Sequence, residues 1–412
     1  MAPQLRSPSP LSRTVKVVGS LNWDIVVGTD SNFDLNTHGE HEEWMRCPGD
    51  HGGNQAVAIY RASRDQPQAE TNGGLGPEVR NTRRPSIVQD LSNNVEVHMI
   101  GMIGDKFHDE DERGKRIKDR LEEIGINVDG ISVADGTRTG YAHVYVDPRG
   151  VPRVSTEGSV TANTKLLWEV VEKPLKQGPK PRLILVQLET PLDTALETIK
   201  YANDEGIPVI FNAAPVNKRN TGLRLWHLFK KEHLSFDHVI LNRDCADRLA
   251  SPSQLSNSQF LEEPTENLSK RYQQLARDLH KQGASCVVIT MGHRGVIASY
   301  LEPTDVKGQR TRNVWHFGAK VGCSQTGPNP VVDQTGASDA FIGAYAVEIL
   351  RQYGAEHQRE PKSVHLDIGV ALEMGVRAGG LAVGKKGSMD SIPWRDEIEG
   401  SVFAAAEGFQ FD

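Results

Sequence analysis

The run Leu183-Ile184-Leu185-Val186-Gln187-Leu188-Glu189 constrains this chain more than any other stretch. Its nearly unbroken apolar character predicts a strand covered on both faces, the condition of strands in a parallel sheet. Thr190-Pro191 follows, then a helix marked by Leu192, Leu196 and Ile199, then Gly206 and a second apolar run from Ile207 to Phe211. Strand, helix and strand in that order make a βαβ unit. Val15 to Ser20, Val95 to Ile100, His238 to Leu241 and Cys286 to Thr290 also read as strands. The fold class expected is α/β, built on a mostly parallel central sheet.

At 412 residues the chain is longer than a typical domain, although large α/β domains with excursions reach this size. The 47 Lys and Arg against 54 Asp and Glu give a net charge of −7. That balance argues against a general binder of nucleic acid or of a membrane surface, and a small-molecule partner fits better. The four cysteines, Cys47, Cys245, Cys286 and Cys323, form no C-x-x-C pair, which speaks against a disulfide framework or a structural zinc and for a reducing compartment. Residues 1–13 carry Pro, Ser and Arg with no apolar run, so they read as a disordered tail. A cytoplasmic setting is expected, with the nucleus left open. Residues 64–94, rich in Gln, Asn, Gly, Pro and Arg, read as a flexible surface insertion.

Chemistry concentrates where Val331-Val332-Asp333-Gln334-Thr335-Gly336-Ala337-Ser338-Asp339 leads into a helix whose apolar face holds Phe341, Tyr345 and Ile349. The first N–H groups of a helix lack internal partners and carry the positive end of its dipole. Gly336, Ala337 and Ser338 can therefore bring bare amides to an anion. Asp339, one residue on, either takes a proton from an attacking hydroxyl or merely caps the helix. The stretch alone leaves both readings open.

Further polar turns punctuate the chain. Asn22 and Asp24 follow the first strand, where ligands gather in open parallel sheets. Pro48-Gly49-Asp50-His51-Gly52-Gly53-Asn54-Gln55-Ala56 is a glycine-rich turn entering an alanine-rich helix, and residues 137–156 carry a hairpin signature. Thr290-Met291-Gly292-His293-Arg294-Gly295 is another glycine turn at a strand end.

In combination these stretches resemble the ribokinase-like sugar kinases of the phosphofructokinase B type. Asp333, Thr335, Gly336, Ala337, Asp339 and Phe341 fall within the D-T-x-G-A-G-D-x-F signature, with Thr335 at its variable position and Ser338 at its second glycine. Asn22 and Asp24 match G-x-x-N-x-D, while Gly49, Gly52, Asn54 and Ala56 match G-G-K-G-A-N-x-A with Asp50 on a glycine and His51 on the lysine. Glu189 resembles the end of Q-x-E-x-P, and Asn212 to Pro215 resembles N-P-A-P. Asn242 opens N-x-x-E, whose glutamate is Cys245 here, with Asp244 and Asp247 as neighbouring acids. Residues 385–394 resemble the closing G-A-Q-x-S-x-P-x segment.

The resemblance implies a three-layer sandwich over 14–412 with a small β lid from about 26–48 and 136–157. It implies ATP-dependent phosphorylation of a pentose, D-ribose to ribose 5-phosphate first, with Asp339 as base and an anion hole at Gly336, Ala337 and Ser338. Asn22, Asp24, Gly49, His51, Asn54 and Glu189 would hold the sugar. Asn242, Thr290, Gly292, Gly295, Gly336 and Ser338 would hold ATP, which brings Mg²⁺. Asp333, Thr335, Ala382, Lys385, Gly387 and Ser391 would surround an activating K⁺, and two lids would pair in a homodimer. The departures at Asp50, His51, Ser338 and Cys245 keep two alternatives: a kinase for another sugar or a nucleoside, and a sugar- or nucleotide-binding protein with little catalysis.

Overall fold

Val15 and Val17 turn to one side of the first strand and Val18 to the other, and all three are fully buried. Leu183 and Leu185 against Ile184 and Val186 repeat this two-sided burial next door. It is the pattern of strands sandwiched between helix layers. The computed structural model describes residues 13–29, 42–67, 94–105, 112–156, 161–216, 234–250, 265–301, 312–317, 331–355, 366–401 and 409–410. The expected tail up to residue 12 and most of the expected insertion, 68–93, lie outside the described residues, as does Cys323.

The strands in chain order are β1 (Thr14–Val18), β2 (Asn22–Gly28), β3 (Glu42–Gly49), β4 (Glu96–Gly104), β5 (Asn127–Ala134), β6 (Gly140–Val146), β7 (Pro152–Thr156), β8 (Leu183–Gln187), β9 (Val209–Asn212), β10 (Phe236–Asn242), β11 (Ala284–Thr290), β12 (Val296–Leu301), β13 (Arg312–Phe317) and β14 (Phe409–Gln410). The helices are α1 (His51–Ala62), α2 (Arg113–Ile124), α3 (Trp168–Lys176), α4 (Leu192–Asp204), α5 (Arg243–Ala250), α6 (Thr265–Lys281), α7 (Ala337–Ala355), α8 (Ile368–Ala382) and α9 (Arg395–Gly400). The large sheet runs β14-β13-β12-β11-β10-β9-β8-β1-β4-β5. It is parallel from β11 through β5, and β12 to β14 join antiparallel. One apolar cluster packs α1, α7 and α8 on one face; the other packs α3 to α6 on the opposite face.

A second sheet, β3-β2-β6-β7, stands apart from the first. Asn22 and Asp24 belong to it: β1 stops at Val18, and after a short crossing the chain pairs β2 with β3 and β6. These two residues therefore sit on the small sheet and not on the carboxyl end of the first strand. The expected hairpin is β6-β7, closed by Asp147, whose N–H donates to Val151 O at 3.2 Å.

Lys16 sits inside β1 and is 1% exposed. Its ammonium donates to the carbonyls of Pro174, Leu175 and Gln177 at 3.2, 2.8 and 2.7 Å, occupying the carbonyls left open at the end of α3. A buried charge is retained here because each donor has an acceptor.

Candidate active site

The turn before α7 is shaped by Gly336, at φ +79°. A Cβ there would lie 2.6 Å from Ser388 O, so the turn is pressed against the closing loop and only glycine fits. Helix α7 then starts at Ala337, with Ser338 and Asp339 in its first turn. Ser338 has no positive φ, so the serine at this signature position is an ordinary helical residue.

Asp339 is 2% exposed and is held by one short segment from the other end of the chain. Its Oδ1 meets His51 Nδ1 at 2.9 Å and accepts from Gln55 Nε2 at 3.0 Å; Oδ2 accepts from Asn54 Nδ2 at 3.1 Å. Gln55 is braced in turn by Gln187 Nε2 at 2.7 Å. Burial pushes the His51 imidazole down, but the charges of Asp339 and Glu189 outweigh it and raise its pKa well above the ordinary value. His51 and Asp339 are thus an ion pair.

Around this pair gather the residues that the sugar-kinase resemblance assigns to an acceptor. Asp24 is raised to about 7, chiefly by burial, with the charges of Glu189 and Asp339 adding to it; Ser388 Oγ donates to its Oδ2 at 3.0 Å. Gly49 lies against it, since a Cβ there would meet Asp24 Oδ2 at 1.9 Å. Asn22 is fixed by Asn163 Nδ2, which donates to its Oδ1 at 2.8 Å. Glu189, just past β8, accepts from Ser20 Oγ at 2.7 Å and from His51 N at 3.4 Å. Burial would raise its pKa, yet the His51 charge and these hydrogen bonds hold it below the usual value.

A cleft next to His51 is lined by Asn212, Asn242, Thr290 and Ser338. Gly292 and Gly295, at φ +59° and +86°, form the tight turn after Thr290. Cys245 is turned away: it is 3% exposed, packed in the apolar cluster of α5, and accepts from Val216 N at 3.5 Å. Burial pushes its thiol up to about 12, so it stays neutral. The neighbouring acids are engaged elsewhere, Asp244 with Arg248 and Asp247 with Arg271 and Tyr272.

The residues expected around a monovalent cation also converge. Asp333 is fully buried, with Oδ1 accepting from Thr335 N and Oδ2 from Gly387 N, both at 2.9 Å. The Thr335 hydroxyl is buried without a partner among the described residues. Ala382 O accepts from Lys385 N at 3.1 Å, and Ser391 Oγ donates to Ser388 O at 2.9 Å. The Lys385 ammonium points to Glu397 at 2.9 Å, which leaves only its main chain for an ion. A buried carboxylate beside an unpartnered hydroxyl fits a weakly demanding cation.

Ser20, Gln55, Asn163, Gln187 and Ser388 belong to this network and were not singled out from sequence. Gln187 carries a signal, as the first residue of Q-x-E; the others are polar residues with no pattern of their own.

A family model described as pfkB family carbohydrate kinase matches residues 12–395. The ribokinase of Schizosaccharomyces pombe is 25% identical over 391 residues, covering 94% of this chain and 97% of that protein. The ribokinase of Bacillus subtilis is 26% identical over 392 residues, covering 94% and 98%. Among solved structures, ribokinase from Giardia lamblia superposes with a TM-score of 0.66 at 21% identity, covering 94% of this chain and 99% of that one. Arabidopsis thaliana ribokinase complexed with ribose and ATP gives a TM-score of 0.61 at 20% identity, covering 95% and 98%.

Proposed function

We propose that this chain, which belongs to the pfkB family of carbohydrate kinases, moves the γ-phosphoryl group of ATP to the primary hydroxyl of a pentose, D-ribose foremost. The observation that carries the reading is the Asp339 carboxylate at a helix N-terminus, hydrogen-bonded to His51, Asn54 and Gln55 from the amino-terminal half.

In this reading the acceptor hydroxyl takes the place of a donor at Asp339 and gives it a proton. The freed oxygen forms a bond to the γ-phosphorus while the bond to the β–γ bridging oxygen breaks, and ADP leaves with that electron pair. Charge on the phosphoryl oxygens is met at the positive end of α7 by the N–H groups of Gly336 and Ser338, and by that of Ala337 as it turns from Gln334 O, to which it donates at 3.2 Å. His51, beside both Asp339 and the cleft, adds a positive charge where that group passes. Asn22, Asp24, Asn54 and Glu189 orient the sugar, and Asn242, Thr290, Gly292 and Gly295 receive the nucleotide. Mg²⁺ arriving with ATP screens the β- and γ-phosphates.

K⁺ would rest on Asp333, Thr335 and the main chain of Ala382, Lys385, Gly387 and Ser391, offsetting the buried carboxylate beneath the anion-binding turn. Val154 on β7 and Val151 in the turn just before it, 59% and 37% accessible, support pairing of that sheet with a second copy.

ADP release measured with ribose, other pentoses, hexoses and nucleosides tests the assignment. Turnover highest with a pentose is expected. Turnover with a nucleoside alone would move the acceptor class, and ribose binding without ADP release from any acceptor would favour a binding protein.

A further inference from the structure

Asp50 has the backbone of a glycine, φ +79° and ψ 157°, a region that L side chains rarely adopt. Its carboxyl is the reason to look there. Oδ1 accepts from His51 N at 3.0 Å and caps α1, and the same N–H reaches Glu189 Oε2 at 3.4 Å, so two carboxyls converge on one donor. Capping needs only that one oxygen, and an unstrained residue could supply it. Asp50 Oδ2 is buried with no nitrogen or hydroxyl donor, and the side-chain neighbour of this carboxyl is another carboxyl, that of Glu189. Asn54, 3% exposed, likewise has Oδ1 buried without a donor while its Nδ2 is engaged by Asp339.

Burial and the Glu189 charge raise the Asp50 pKa well above normal, and the two carboxyls lie within hydrogen-bond reach of each other. Asp24 and Asp339 add acid on the same side, and His51 is the cation bonded within this group. A neutral pentose offers single hydroxyl donors. An ammonium offers three donors and a positive charge, the combination that two facing carboxyls and an idle amide oxygen lack.

We propose that Asp50 is a specificity-determining residue that selects an amine-bearing sugar or polyol, its ammonium seated against the Asp50 and Glu189 carboxyls and its primary hydroxyl toward Asp339. This rests on the kinase reading above and moves its foremost acceptor from ribose to an amino-substituted relative, with ribose a slower substrate of the same chemistry. The test is ADP release by the intact enzyme, Asp50→Asn and Asp50→Gly, each with ribose and with 2-amino- and 3-amino-deoxyribose. The wild type should favour an amino sugar in kcat/KM by at least about tenfold, the scale of discrimination by a buried polar group left unpaired. Asp50→Asn keeps the cap and the volume and should lose that preference. Asp50→Gly should lose the same preference, and should melt at or above the wild-type temperature because glycine adopts this φ without strain. Robust ADP release with the same amine-to-ribose ratio in all three proteins would overturn the role of Asp50 and leave the kinase reading standing. No ADP release from any protein with any acceptor would overturn both.

Discussion

The two halves of the pocket hold their parts by different means. On the half assigned to the acceptor, side chains tie side chains: Asp339 to His51, Asn54 and Gln55, Gln55 to Gln187, Asp24 to Ser388, and Glu189 to Ser20. On the half assigned to phosphate, the backbone makes the shape, through Gly292, Gly295 and Gly336 at positive φ and the first turn of α7. A half built from side chains can be retuned by single substitutions, and Asp50 and His51 are such changes. A half built from main chain can carry a different side chain without a change of backbone, as at Ser338, but resists a Cβ where glycine is required.

The largest effect is expected at the seam of the halves. Asp339→Asn should lower kcat by about two to four orders of magnitude, the range for a positioned general base, with acceptor KM little changed. Steady-state kinetics checks it, and near-normal turnover would remove Asp339 from the chemistry. Next is Gly336→Ala, whose Cβ would meet Ser388 main chain at 2.6 Å. It should lower kcat by about 10² by misplacing the amides, and lower stability by about 1–3 kcal/mol, read by kinetics and denaturant unfolding.

His51→Gln should cost about tenfold in kcat through loss of the charge near the transferring group. It also has a pH signature. Because the folded-state pKa of His51 is raised, its stabilising contribution is complete below its unfolded value of 6.5 and is lost as pH rises through the higher folded value. The melting-temperature gap between wild type and His51→Gln should therefore narrow on the alkaline side. The smallest effect is expected for Cys245→Ala: its thiol is neutral and faces the core, so kcat should change less than about twofold while stability falls by about 1 kcal/mol. A large loss of turnover there would mean that the phosphate half depends on side-chain chemistry after all.

Much of the large sheet was legible because double-sided burial leaves an unmistakable mark, as in Leu183 to Val186. The small sheet was legible at β6-β7, where alternation and the Asp147 turn act locally. The placement of Asn22 and Asp24 was not, because where β1 ends and a second sheet starts depends on pairing with β3 and β6. Nothing in the run Val15 to Ser20 marks Lys16 as buried, because its burial depends on the end of α3, 158 to 161 residues away. The site's principal carboxylate could be named from a motif, whereas its partner Gln55, 284 residues away, had no local signal. The strained backbone of Asp50 is likewise invisible in a string of letters, since glycine and aspartate both suit turns.

The most direct measurement follows the labelled γ-phosphoryl of ATP to its destination, with ribose and 5-deoxyribose as paired acceptors. The account predicts label on the C5 oxygen of ribose and none transferred to 5-deoxyribose. Label released only as inorganic phosphate, or transferred equally to both, would contradict a carboxylate aimed at a primary alcohol.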